Sequence, residues 1–156
     1  MSWFLNISGG RLLAIPALLF ALNAGPAQAH SHKVKHLEIV HPWCVETQDT
    51  AKPVAVYMTI RNRAGRPDRL LRATTSIAAK TELSAGAIAV PGRGEVDLKR
   101  DGPQIRLSGM KKQLPAYDSF PLTLVFEHAG KVLVDVMVEE AAILEPARKQ
   151  PQSEGH

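Results

Sequence analysis

The sequence predicts an all-β fold, a small β-sandwich of about seven to nine short strands. Three observations carry this. Apolar and polar residues alternate with a period of two over several short segments. Gly, Pro, Asp or Asn stands at nearly every break between them. No segment sustains an apolar period of 3.6 with capping signals, and Ser76 to Lys80 could form one helical turn at most.

In chain order, the first element is not part of the fold. Met1 to Arg11 carries one positive charge and no acid, Leu12 to Leu22 is an apolar run, and Ala27-Gln28-Ala29 places small residues around a polar one. This is the three-part pattern of a secretory signal peptide, residues 1–29, with cleavage expected after Ala29. The apolar run is well short of the roughly 20 residues a membrane-spanning helix needs, so no stable membrane insertion is expected. The product is then periplasmic or secreted.

Residues 30–36 are polar and His-rich and read as a flexible arm. The folded domain is expected over 37–144. Leu37 to Val45 is its first strand. In the next, Val54, Val56, Met58 and Ile60 share one face while Ala55, Tyr57, Thr59 and Arg61 share the other. Asp68 to Thr75, Lys80 to Leu83, Gly94 to Lys99 and Gln104 to Leu107 are further candidates, with Pro91-Gly92-Arg93-Gly94 as a turn. Leu122, Leu124 and Phe126 alternate with polar neighbours, His128-Ala129-Gly130 offers a turn, and Val132, Val134, Val136 and Val138 line one face. These two segments predict a hairpin. The tail, 145–156, has Pro146, Pro151 and no apolar periodicity, and reads as disordered.

Composition narrows the function. The 156 residues, 45% hydrophobic and 22% charged, suit one domain. A formal charge of +4 spread thinly, with 5% aromatic residues and no recognisable module, argues against a nucleic-acid partner. The single cysteine, Cys44, excludes an internal disulfide. It is either a buried strand residue or an exposed thiol able to pair with another chain. No nucleophile elbow, His-Glu-x-x-His or Cys-His arrangement is present, so the chain is not expected to be an enzyme.

Several fragments, in this order, resemble a known family. They are Trp43, Ala55-Val56-Tyr57-Met58-Thr59-Ile60-Arg61-Asn62, Asp68-Arg69-Leu70-Leu71 and Thr81-Glu82-Leu83, then Leu107-Ser108-Gly109-Met110, Leu114, Leu122 to Glu127, Ala129-Gly130 and Val132 to Val138. Over about residues 38 to 140 the chain resembles the PCu(A)C-type periplasmic copper chaperones. The resemblance implies a cupredoxin-like sandwich, copper as cargo, and a copper-accepting partner in respiratory oxidase assembly. It also implies a site built from a His after a Glu-Leu pair, Met residues on a following loop and a later His-x-Met pair. Here Glu82-Leu83 is followed by Ser84, Gln104 and Arg106 stand at the later His and Met positions, and no Met lies between Ser84 and Gln104. Copper(I) is soft and selects thioether or thiolate with imidazole, so Ser, Gln and Arg do not replace that set. Arg106 adds a permanent cation where a cation would bind.

Histidines supply a different candidate. Four of the six, His30, His32, His36 and His41, fall just after the expected cleavage point. A chain beginning at His30 offers its amine, the backbone nitrogens of Ser31 and His32 and the His32 imidazole as a square-planar four-nitrogen site, a geometry that suits Cu(II). His30 could instead chelate through amine and imidazole, with His36 or His41 completing the site. The competing reading of the same residues is a solvated polar arm, and His41, next to Pro42-Trp43, also fits a capping role. Two functions follow: a copper-binding, chaperone-like protein that uses its N-terminal histidines, or a metal-free interaction module whose contact surface is Ser84, Gln104 and Arg106.

Overall fold

The computed structural model describes residues 31–141; the expected signal peptide, His30, residues 142–144 and the whole tail, 145–156, lie outside the described residues. Ten strands are present: β1 (Ser31–Val34), β2 (Leu37–Val45), β3 (Val54–Asn62), β4 (Asp68–Thr74), β5 (Ala78–Leu83), β6 (Ile88–Val90), β7 (Gly94–Leu98), β8 (Ile105–Met110), β9 (Ser119–Phe126) and β10 (Gly130–Glu139). The fold is all-β, as the alternation predicts.

Two strands were not legible. β1 lies where the polar composition predicts a flexible arm; it pairs antiparallel with β2, Ser31 opposite Val40 through Val34 opposite Leu37. β6 is a three-residue strand paired to β4, too short to show a period. Ser76 to Lys80 contributes no helical turn, because Ala78 to Lys80 already belongs to β5.

The hydrogen-bonded path runs β5-β8-β3-β2-β10-β9-β4-β6, with β1 added to β2 and β7 to β3. Both additions arise because one long strand serves two partners in turn. β3 pairs with β8 over Val54–Val56 and with β7 over Met58–Asn62. β2 pairs with β1 over Leu37–Val40 and then, in parallel, with β10 over Trp43–Val45. The β2 changeover falls at a bulge between Val40 and Trp43, where His41 has a left-handed φ of 49°. Pro42 sits inside that bulge, where its missing N–H costs no ladder bond.

The alternating residues close over one core. Ile39, Ile60, Leu70, Leu107, Leu122 and Val136 are fully inaccessible, and each buried aliphatic side chain of this size contributes about 1.5–3 kcal/mol. Met58 and Met110 are in the same core. Cys44 is buried as well, which settles its two readings in favour of a packed strand residue.

Candidate metal centre and adjoining groove

Of the four N-terminal histidines, three can be placed. His32 is half-buried on β1, opposite Ile39. His36 lies in the β1–β2 turn with Nε2 3.6 Å from Asp68 Oδ2. His41 projects from the β2 bulge and its Nε2 is 2.8 Å from Glu139 Oε1 on β10. The fold thus separates His36 and His41 onto different carboxylates. Among the described residues, no group of three or more His, Cys, Asp or Glu side chains encloses a metal-sized site.

The His41 contact has a direct geometric consequence. Glu139 meets the ring at Nε2, which leaves Nδ1 as the nitrogen not in contact with that carboxylate; a carboxylate against one ring nitrogen while the other faces a metal is a common arrangement for ligating histidines. The bulge that aims the ring is a strained position for a non-glycine residue, and such positions concentrate at functional sites.

Asp68 is a second polar centre. Its carboxylate is inaccessible and accepts three backbone N–H bonds, from Arg69 (2.8 Å), His128 (2.9 Å) and Ala129 (2.9 Å). Burial pushes its pKa up, but the N–H groups of His128, Arg69 and Ala129 outweigh this and hold it below the ordinary carboxylate value. Asp68 therefore locks the β9–β10 turn to the start of β4.

The positions implied by the family resemblance also come together. Ser84 N–H donates to Gln104 O at 3.0 Å and Gln104 N–H donates to Ser84 Oγ at 2.9 Å, extending the β5–β8 ladder beyond Leu83–Ile105. Arg106, opposite Glu82, is exposed and has no ion-pair partner among the described residues. This end of the ladder offers a hydroxyl, an amide and a guanidinium. Met58 and Met110 are committed to the core, so no thioether faces it from those positions.

Beside His41 the surface is concave. Val40, His41, Trp43, Tyr57, Met58, Thr59, Asp97, Leu98, Lys99 and Arg100 line a groove of about 330 Å³. Trp43 packs on Tyr57 with ring centroids 4.9 Å apart, and His41 lies 6.2 Å from Trp43. This groove was not anticipated from the sequence. A signal was present: Trp43 and Tyr57 fall on the polar-facing side of their strands' alternation, with Cys44 and Val56 on the inward side.

Residues 37–138 match the LpqE-like lipoprotein family. No curated protein matches the chain by sequence. Among solved structures, the copper-bound PCuAC domain from PmoF2 is 30% identical with a TM-score of 0.66, covering 71% of this chain and 98% of that domain. The apo PCuAC domain from PmoF1 is 25% identical with a TM-score of 0.68, covering 71% of this chain and 99% of that domain. The Cu(I) form of DR1885 from Deinococcus radiodurans, at 23% identity and a TM-score of 0.57, covering 74% of this chain and 85% of that one, shares the fold.

Proposed function

The chain belongs to the LpqE-like family of PCuAC-type domains, and from that premise we propose that it is an extracytoplasmic copper-handling protein that binds the metal at its mature amino terminus. The relatives with copper in their structures supply the cargo. The donor set supplies the displacement: Ser84, Gln104 and Arg106 stand where the family's imidazole and thioether ligands are expected, and they are hard or cationic.

The observation that carries this reading is the His41–Glu139 pair at 2.8 Å, beside the point where β1 begins. Ser31 lies opposite Val40, the neighbour of His41. A chain cleaved after Ala29 carries its amine on His30, one residue before Ser31 in the sequence, and in the proposed site that amine and the His30 imidazole bind the metal together with His41. The four-nitrogen alternative uses the backbone nitrogens of Ser31 and His32. In an antiparallel pair, successive residues alternate between hydrogen-bonded and non-bonded positions, so one of those two N–H groups belongs to a rung. Metallating both opens that rung. Chelation by His30 amine and imidazole, completed by His41 Nδ1, leaves β1 intact and is the favoured geometry; it suits Cu(II) better than Cu(I).

Copper titration of protein with an authenticated His30 start tests this, read by visible absorption and native mass spectrometry under oxidising and reducing conditions. One equivalent of Cu(II) with a nitrogen-rich spectrum is expected, lost when a residue precedes His30 and weakened at least about tenfold by His41→Ala. Loss on His32→Ala with no effect of His41→Ala would select the four-nitrogen form. Unchanged stoichiometry in a His30→Ala/His32→Ala variant would reject the terminal site.

A second reading rests on the exposed Ser84–Gln104–Arg106 end of the β5–β8 ladder, which in a metal-free module would contact a partner protein. A partner captured by the parent and by the His30→Ala/His32→Ala variant, but not by Arg106→Glu, would favour it.

A further inference from the structure

We infer that the groove beside His41 is a binding site for a small aromatic carboxylate, the class represented by an aryl acetate. One wall and the floor are aromatic or apolar and suit a ring, while the rest of the lining is polar or charged. Trp43 and Tyr57 pack against each other with centroids 4.9 Å apart and planes tilted by 46°, giving the groove an aromatic wall, and Met58 and Leu98, 3% and 2% exposed, lie at its apolar base. A volume of about 330 Å³ falls in the range of small-ligand sites.

Charge selects the sign of the ligand. Lys99 and Arg100 stand on the rim, and neither has an ion-pair partner among the described residues. The one lining acid, Asp97, accepts from the Thr59 hydroxyl at 2.7 Å, and Glu139 is engaged with His41. Asp97 keeps its charge, so the lining carries two cations against one acid, an excess of one positive charge. A carboxylate offered there gains charge-assisted bonds that a neutral amide does not.

The loop that carries the two cations is built in advance. Lys99 N–H donates to Pro103 O at 3.1 Å, Gly102 N–H donates to Lys99 O at 3.1 Å, and Gln104 Nε2 donates to Arg100 O at 2.6 Å. Gln104, at a position where the family resemblance implies a metal ligand, is here a brace for the Arg100 backbone. On the opposite wall the bulge fixes His41 and Trp43 in place. A ligand that enters therefore orders little backbone, which preserves binding energy.

The test uses phenylacetate and the matched neutral probe phenylacetamide, titrated into the ¹⁵N-labelled protein with excess EDTA so that copper plays no part. Saturable shifts of the Trp43 indole N–H and of the Lys99 and Arg100 amides by phenylacetate are expected. Lys99→Ala/Arg100→Ala, both exposed and outside the core, should weaken phenylacetate about tenfold and leave phenylacetamide unchanged. Absence of saturable shifts at about 10 mM ligand, a dissociation constant too weak to be a site, overturns the proposal. So does equal affinity for the two probes. Either failure leaves the copper reading standing, because the metal is absent from the measurement.

Discussion

Removing the Asp68 carboxylate isolates the contribution of one buried acceptor. The side chain is inaccessible and ends three backbone N–H groups at 2.8–2.9 Å. Asp68→Ala leaves all three without an acceptor, at about 1–3 kcal/mol for each that stays buried. Ala129 is buried, whereas Arg69 and His128 lie at the surface where water replaces part of the loss. The sum is about 3–5 kcal/mol, inside the 5–15 kcal/mol of a typical domain, so the variant still folds. For a domain of this size the melting temperature should fall by about 10–20 °C. Asp68→Asn, which keeps one acceptor oxygen, should lose about half as much. The folded carboxyl titrates below its unfolded value, so its stabilisation is complete above the unfolded pKa, about 3.9, and is lost as pH falls through the folded one. Circular-dichroism melts at neutral pH and at successively lower pH would show the gap between parent and Asp68→Ala narrowing only in that acid range. A gap under about 3 °C at neutral pH, or one that stays constant into acid, would refute the reasoning.

Three further outcomes are expected. Burial, and then the nearby Glu139 charge, push the Cys44 thiol up to about 12, so at pH 8 only about one molecule in ten thousand carries thiolate; a thiol reagent should react with unfolded protein only, and rapid native labelling would contradict the packing. A Cβ on Gly92 would collide with the Gly65 carbonyl oxygen, so Gly92→Ala must displace backbone, whereas Gly86, in open space at φ +70°, should cost only about 1–2 kcal/mol as alanine in urea unfolding. Leu122→Ala, at a fully buried β9 position, should lose about 2–5 kcal/mol, while Leu133→Ala, 63% exposed on β10, should be nearly neutral by the same assay.

What the sequence determined by itself was local. A period of two needs only neighbours to be read, so β2, β3 and the β9–β10 hairpin were visible in Leu37 to Val45, Val54 to Arg61 and Leu122 to Val138. The replacement of the expected soft ligands by Ser84, Gln104 and Arg106 was equally plain, since it depends on residue identity. β1 was hidden because Ser31-His32-Lys33-Val34 gains its order from pairing with β2, and composition alone does not register a partner. The decisive contacts of the site are long-range. His41 meets Glu139, Trp43 meets Tyr57, and Asp68 receives the amides of His128 and Ala129. Nothing near Asp68 in the chain marks it as a buried acceptor, and nothing near His41 names its carboxylate. Only the closing of β10 beside β2, and of the β9–β10 turn onto β4, put each charge beside its partner, because a hydrogen bond is decided by distance in space and not along the chain.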